Sequence, residues 1–353
     1  MAADTRRARD DAAGGRRGLR GQLSPALLDA LKEHYAIVPA EEPTDLGGSS
    51  NLNLLVNDGR RKLVMRVYRR SVSVARLVDI QNARRQLAAA GFPCLTPIPS
   101  RTGSDWTGVG SRLIEVEEYV EADGRMNTRH RVVSGLRVLG GMHNVLRKLN
   151  TSSASEAPPF VNYVAPEDLV ASCRRGVARI RSWGPTEEET RLAELAEELA
   201  YAVSVADRGL DHSSITRQVV HGDFWDNNVL YLGPDIVLIH DFDHMGRRAR
   251  IEDVALTIYF LNSERTDAGE ENGSRLRRMV DAYDSRLDEP LSAAERAALP
   301  VAIARQPLWS VGGWIAELDD EVAARDHASG LLERVEFARE MMRTLRRWQD
   351  TLA

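Results

Sequence analysis

The chain has 353 residues, 43% hydrophobic and 28% charged, the balance of a water-soluble folded protein with no apolar run long enough to cross a bilayer. Its length exceeds what one small core organises, so two lobes are expected. A formal charge of −5 and a pI near 6.0 argue against nucleic acid as a main partner. Cys94 and Cys173 lie in separate regions without metal-ligand spacing, which fits a reduced cytoplasm.

Residues 1–22 are rich in arginine and aspartate and lack the apolar segment of a secretory signal, so they read as a disordered tail. Ser24-Pro25 then opens an amphipathic helix through Tyr35, with serine at the N-cap and proline at the first helical position. Gly47-Gly48-Ser49-Ser50-Asn51 leads into a strand at Leu52 to Val56, a turn at Asn57-Asp58-Gly59 and a strand at Lys62 to Tyr68. Two glycines let such a loop bring backbone amides close to phosphate oxygens. Arg66 and Lys62 share one strand face. Val74 to Ala90 reads as a helix ended by Gly91-Phe92-Pro93, and Ser111 to Val120 as a strand that closes the first lobe near residue 118.

The remainder, 119–353, reads as largely helical. Val132 to Leu149 is a helix whose His143 is expected to be packed or on the surface. Residues 150–160 form a Ser/Pro-rich loop, and Thr186 to Asp207 is a long helix with three glutamates in its first turn, where the helix dipole favours them.

Val219 to Asp243, VVHGDFWDNNVLYLGPDIVLIHDFD, is the most informative stretch. Val219-Val220 is a buried strand that delivers His221-Gly222-Asp223, and Val229 to Tyr231 with Ile236 to Ile239 reads as a hairpin around Gly233-Pro234-Asp235. Pairing Tyr231 with Leu238 sets Asn228 opposite Asp241, at the end where Asp223 also arrives. Hard oxygen donors grouped in this way suit Mg²⁺ held largely through substrate phosphates. His240 and His244 flank the second triplet, but no set of three ligands at zinc spacing surrounds them.

Further on, Gly269 to Gly273 reads as a polar loop, Leu291-Ser292 with Glu295 as a capping box, and Leu331 to Leu352 as one basic helix. Gln306 to Asp320 mixes Trp309 and Trp314 with Glu317, Asp319 and Asp320. Aromatic faces beside carboxylates suit a cationic acceptor; the competing reading has the tryptophans in the core and the acids on the surface.

Asp223 and Asn228 stand in the Asp-x-x-x-x-Asn spacing of a kinase catalytic loop, and Asp241-Phe242-Asp243 stands where kinases carry Asp-Phe-Gly. With His221-Gly222-Asp223, this variant resembles the aminoglycoside phosphotransferase, choline kinase and homoserine kinase-like family, which has the protein kinase-like fold. The resemblance implies an α+β, bilobal molecule: a small N-terminal lobe, 23–118, with an antiparallel sheet that binds ATP, and a larger helical C-terminal lobe, 119–353, that binds the acceptor. It implies that Asp223 receives the proton of an acceptor hydroxyl and that Asn228 and Asp241 hold Mg²⁺. Gly47 to Asn51 would cover the phosphates, Arg66 would meet them, and main-chain atoms of Glu118 and Val120 would meet adenine. Asp253 matches the aspartate that braces the catalytic loop. The acid expected to partner Arg66 from the following helix is missing as a glutamate; Asp79 and Gln81 are the residues near that place. The acceptor is expected to be a small molecule with a hydroxyl group: an antibiotic or aminosugar-type natural product, with choline, ethanolamine or homoserine as alternatives. A short basic loop after Asp243 disfavours a protein substrate, and a non-catalytic nucleotide-binding module is the other class that fits.

Overall fold

The computed structural model describes residues 20–156, 158, 160–262 and 272–353. Most of the tail expected at 1–22, and residues 269–271 of the polar loop expected at 269–273, lie outside the described residues. Among the described residues, helices and antiparallel strands build two compact units, one within Met1–Ala88 and Cys94–Glu121 and the other within Ala89–Pro93 and Ala122–Ala353.

The first unit contains α1 (Pro25–Tyr35), β1 (Thr44–Asp45), β2 (Leu52–Asn57), β3 (Lys62–Val67), most of α2 (Val74–Ala89), β4 (Thr107–Val109) and β5 (Arg112–Glu118). The antiparallel sheet has the order β1-β2-β3-β5-β4. Alternation in β2 turns Leu52, Leu54 and Val56 inward, where they pack with Leu63, Met65 and Val67 of β3 and with Leu27, Leu31 and Tyr35 of α1. Ser24 takes the N-cap position of α1, but its side chain makes no capping hydrogen bond; Pro25, with its fixed φ, opens the first turn. The β2–β3 turn is held by its own side chains, since Asn57 Oδ1 accepts the Gly59 amide at 3.0 Å and Asp58 Oδ1 accepts the amides of Arg60 and Arg61 at 2.9 Å each.

The second unit carries β6 (Gly124–Arg125), α3 (Arg129–Leu146), α4 (Leu169–Ser182), α5 (Glu187–Asp207), β7 (Arg217–Val220), β8 (Val229–Leu232), β9 (Asp235–Ile239), β10 (Gly246–Ala249), α6 (Ile251–Asn262), α7 (Asn272–Asp284), α8 (Ala293–Trp309), α9 (Glu321–Ala328), α10 (Leu332–Arg343) and α11 (Leu345–Leu352). The glutamates that open α5 do more than favour its dipole. Glu189 and Thr186 form a reciprocal capping box, as Glu295 and Ser292 do at α8. Glu295 also takes Arg250 through two contacts at 2.7 and 2.8 Å while fully buried.

Several expectations need correction. The residues after Asp243 are not a loop: Gly246–Ala249 is a strand, antiparallel to β7. The last helix is two, broken at Thr344 with φ −111° and ψ 25°. The β8–β9 hairpin pairs Tyr231 with Ile236 and Val229 with Ile239, because an irregularity at Leu230/Tyr231 shifts the register. Asn228 therefore meets His240, whose N–H donates to its carbonyl at 3.1 Å. Beyond α8 the chain takes a π-helical turn over Ser310–Ile315. That turn sits tightly on α4, where a Cβ on Gly176 would stand 2.0 Å from the Val311 carbonyl oxygen.

Candidate active site

The catalytic loop is shaped by what lies beneath it. Val219 and Val220 are buried and bring His221-Gly222-Asp223 to the end of β7. Gly222 has φ 81°, and a Cβ there would lie 2.0 Å from the His244 carbonyl oxygen, so only glycine fits. Asp253 on α6 accepts the amides of His221 and Gly222, each at 2.7 Å. His143 stands behind it, with Nε2 3.0 Å from Asp253 and Nδ1 2.7 Å from the Tyr283 hydroxyl. His143 is thus a packed residue with a bracing task. Burial opposes the charge on Asp253, yet the His143 hydrogen bond and the two histidines hold its carboxyl below the usual range.

His221 accepts the Asp223 amide on Nδ1 at 3.2 Å and donates from Nε2 to the His240 carbonyl at 3.1 Å. Burial pushes its pKa down to about 4 against the pull of Asp253 and Asp241. A neutral ring with both nitrogens engaged holds the loop and does not exchange protons near neutral pH.

Asp223 and Asn228 meet directly. Asn228 Nδ2 donates to the Asp223 carbonyl at 2.8 Å and to its Oδ2 at 2.7 Å, which turns the Asn228 amide oxygen away from the carboxylate. A second carboxamide, Asn162, donates from Nδ2 to Asp223 Oδ1 at 2.5 Å. Burial, then the charge of Asp241, raises the Asp223 pKa to about 8 in spite of these donors. Asp241 is thus close enough to act on Asp223, and it sits in the left-handed region with φ 64° and ψ 60°. A side chain held there costs roughly 1–2 kcal/mol, a placement that residues at functional sites tolerate when their surroundings fix them. Asp223 and Asn228 are therefore brought together, and Asp241 lies within electrostatic range of Asp223. Among the described residues, no three His, Cys, Asp or Glu side chains are grouped so that they could hold a metal ion by themselves.

In the first unit, Gly47 and Gly48 have φ 88° and 112°. Gly47 donates its amide to Asp45 at 2.8 Å and accepts Asn53 Nδ2 at 3.1 Å. Gly48 and Ser49 are exposed, whereas Ser50 and Asn51 are buried. Ser50 Oγ accepts from Arg69 Nη1 at 3.2 Å, and Asn51 Oδ1 accepts the Arg69 amide at 2.9 Å. These two side chains brace the glycine loop from below. Arg66 is buried on β3 directly opposite Glu115 of β5, so the two share a face. The same carboxylate takes Tyr68 at 2.8 Å, Gln81 at 2.9 Å and Arg84. Burial opposes its ionisation, but Arg84, Gln81 and Arg66 outweigh it and keep the carboxyl below its usual range. The acid sought on the helix thus has a counterpart on a strand. Lys62 pairs with exposed Glu121 at 2.7 Å. Glu118 ends β5 opposite Leu63, Tyr119 donates its amide to the Lys62 carbonyl at 3.1 Å, and Val120 follows outside any strand.

Trp309 and Trp314 are both buried. Trp314 reaches the site, since its Nε1 donates to Asn162 Oδ1 at 3.3 Å. Glu317 is half exposed and pairs with Arg175 at 3.5 Å in a surface ion pair. Sequence reasoning missed Asn162 and Glu115. Glu115 could have been found as an acid on the buried face of its strand; Asn162 carries no motif, spacing or periodicity.

Among the described residues, no helix is long and apolar enough to cross a membrane. Homoserine kinase of Rhodopseudomonas palustris (strain TIE-1) is 25% identical over 260 residues, covering 72% of each chain. That of Methylobacillus glycogenes is 23% identical over 320 residues, covering 86% of this chain and 90% of the relative. A microcompartment-associated aminopropanol kinase superposes with a TM-score of 0.70 at 17% identity, over 90% of this chain and 97% of that one. An amicoumacin kinase solved with AMP-PNP and Ca²⁺ does so with 0.65 at 16% identity, over 89% and 92%. The fold is thus the protein kinase-like one that the family resemblance implies. Residues 44–295 match the phosphotransferase enzyme family, and the chain, with its Asp253-braced loop and its Asp223–Asn228 pair, belongs to that family.

Proposed function

We propose that this phosphotransferase moves the γ-phosphoryl group of ATP to a hydroxyl group of a small molecule that also bears an amine. The observation that supports it most is the position of Asp223, held by Asn228 and lying within the electrostatic reach of Asp241. Asp223 takes the proton of the acceptor hydroxyl as the new bond forms. Transfer through a loose transition state depends on positioning and on compensating charge, and a loop tied by two backbone amides to Asp253 supplies the first.

The Asn228 amide oxygen and the Asp241 carboxylate are hard oxygen donors that fit Mg²⁺, and too few to cage it without phosphate oxygens. When bound, the cation supplies positive charge at the phosphates and offsets the Asp241 charge that pushes the Asp223 pKa up. In the nucleotide-binding part, 23–118, the exposed backbone of Gly48 and Ser49 approaches the phosphates while Ser50 and Asn51 hold the loop's shape. Arg66, with Glu115 opposite, meets phosphate oxygens. Glu118 and Val120 offer main-chain atoms to adenine. The remaining chain, 119–353, binds the acceptor.

The acceptor class is supported by the relatives, a homoserine kinase and an aminopropanol kinase: homoserine and aminopropanol each join an amine to a hydroxyl. An antibiotic or aminosugar acceptor belongs to the same chemical class. Two buried free cysteines suit a reducing cytoplasm. The test is acceptor-dependent ADP release from Mg²⁺-ATP across homoserine, ethanolamine, choline, aminopropanol and aminoglycosides. At least one amine-bearing alcohol should raise ADP release above the rate with water by about 100-fold or more. No response from any of them, with a response from hydroxyl compounds lacking an amine, would overturn the class.

A further inference from the structure

Asp223 is held from a side that no motif in the sequence marks. Asn162 lies 61 positions earlier, yet its Nδ2 donates to Asp223 Oδ1 at 2.5 Å while Asn228 donates to Oδ2 at 2.7 Å. A carboxamide can turn over and present oxygen where nitrogen was. Trp314 opposes that turn, because its indole nitrogen, a donor only, meets Asn162 Oδ1 at 3.3 Å.

The backbone around Asn162 is fixed as well. Its N–H donates to His244 Nδ1 at 3.0 Å. The Arg248 guanidinium lies 4.5 Å from the Tyr163 ring centroid and donates to the His244 carbonyl at 2.7 Å, so one side chain ties both flanks together. Phe160, with φ 53°, stands 6.0 Å from Trp314, ring to ring. A non-glycine residue keeps that conformation where its surroundings over-determine it. Trp314 itself sits on the π-helical turn and stacks on His327 at 4.9 Å and 20°. Single π-turns recur at functional sites.

We propose that Asn162 is a positioning residue for Asp223 and that Trp314 acts through it by fixing the direction of its amide. This rests on the reading of Asp223 as the group that takes the acceptor proton. With one carboxamide donor on each oxygen, the carboxylate cannot swing about its terminal torsion, and the acceptor hydroxyl is confined to the lone pairs left over. Trp314 is therefore a positioning residue rather than the aromatic wall of an acceptor pocket.

The experiment compares the full-length chain with Asn162→Ala, Trp314→Phe and the double variant. Turnover is read as ADP release from Mg²⁺-ATP with the best acceptor found, or with water. Asn162→Ala should lower kcat by about 10- to 100-fold, with KM for Mg²⁺-ATP kept within about twofold, because the loss is of geometry at the acceptor. Trp314→Phe keeps an aromatic ring, though a smaller one, and loses the indole donor, so its effect should be smaller, and the double variant should be no worse than Asn162→Ala alone. A kcat for Asn162→Ala within about twofold of the parent, or losses that multiply in the double variant, would overturn the proposal. A second arm follows the Asn162 side-chain amide by ¹⁵N–¹H NMR without nucleotide. Its signals should move in both Trp314→Phe and Asp223→Ala, and signals unmoved by either would overturn the assignment even if Asn162→Ala failed to fold. A parent chain that turns over no Mg²⁺-ATP with any acceptor would instead count against the phosphotransfer reading of Asp223, and the NMR arm would still decide the contacts of Asn162.

Discussion

Asp253 Oδ1 accepts the amide of Gly222 at 2.7 Å, and the other oxygen of the same carboxylate accepts the amide of His221. A buried charge on one helix thus fixes the backbone from which Asp223 projects. Asp253→Ala should destabilise the folded chain by roughly 3 kcal/mol or more, since two buried donors and His143 lose their acceptor. Denaturant titration checks this, and turnover should fall in parallel.

Gly222→Ala should be tolerated poorly for a steric reason. The new Cβ would meet the His244 carbonyl, and φ 81° is unfavourable for alanine. Displacing Asp223 by about 1 Å is enough to lose on the order of 100-fold in rate. Single-turnover phosphotransfer measures it, with circular dichroism as the control for folding.

Acid should act on stability in two windows. The folded pKa of His221 is depressed to about 4 by burial, so between about 6.5 and 4 the unfolded chain binds more protons. The His221 contribution therefore falls as pH drops through that window, by roughly 3 kcal/mol if the shift is fully expressed, while Asp223, whose folded pKa is raised to about 8, gains stability as pH drops through the same range and offsets it. Asp253, Glu115 and Glu295 have depressed folded pKa values, so their contribution persists above the ordinary carboxylate range and is lost below about 4. Denaturation midpoints measured across pH 3–8 test the assignment: with the Asp223 contribution left unopposed, His221→Asn should gain stability as pH drops from about 6.5 to 4, where the parent changes little.

The strands, the glycine loop, the catalytic-loop spacing and both capping residues of α8 were legible because each depends on neighbours in sequence. Alternating Leu52, Leu54 and Val56 mark a buried face, and the glycine of His221-Gly222-Asp223 marks a turn. The strand at Gly246–Ala249 was not legible, because its pairing with β7 is set by a distant partner. The same holds for Asn162, whose value lies in meeting Asp223 and Trp314. The Glu115 site was half visible: the strand could be read, but the convergence of Arg84, Gln81 and Arg66 on one carboxylate is a tertiary fact.

Asp241→Asn should weaken Mg²⁺-nucleotide binding by about tenfold or more, since a charged oxygen donor at the cation is replaced by a neutral one. Calorimetric titration of Mg²⁺-ATP into the variant measures it, and nucleotide without divalent cation should bind parent and variant alike.

The most direct measurement is turnover of Asp223→Asn beside its affinity for Mg²⁺-ATP. The variant keeps the shape of the side chain and loses the base, so kcat should fall by at least about 100-fold while the dissociation constant for Mg²⁺-ATP changes by no more than a few-fold. Turnover near that of the parent chain would contradict the assignment of Asp223 as the proton acceptor.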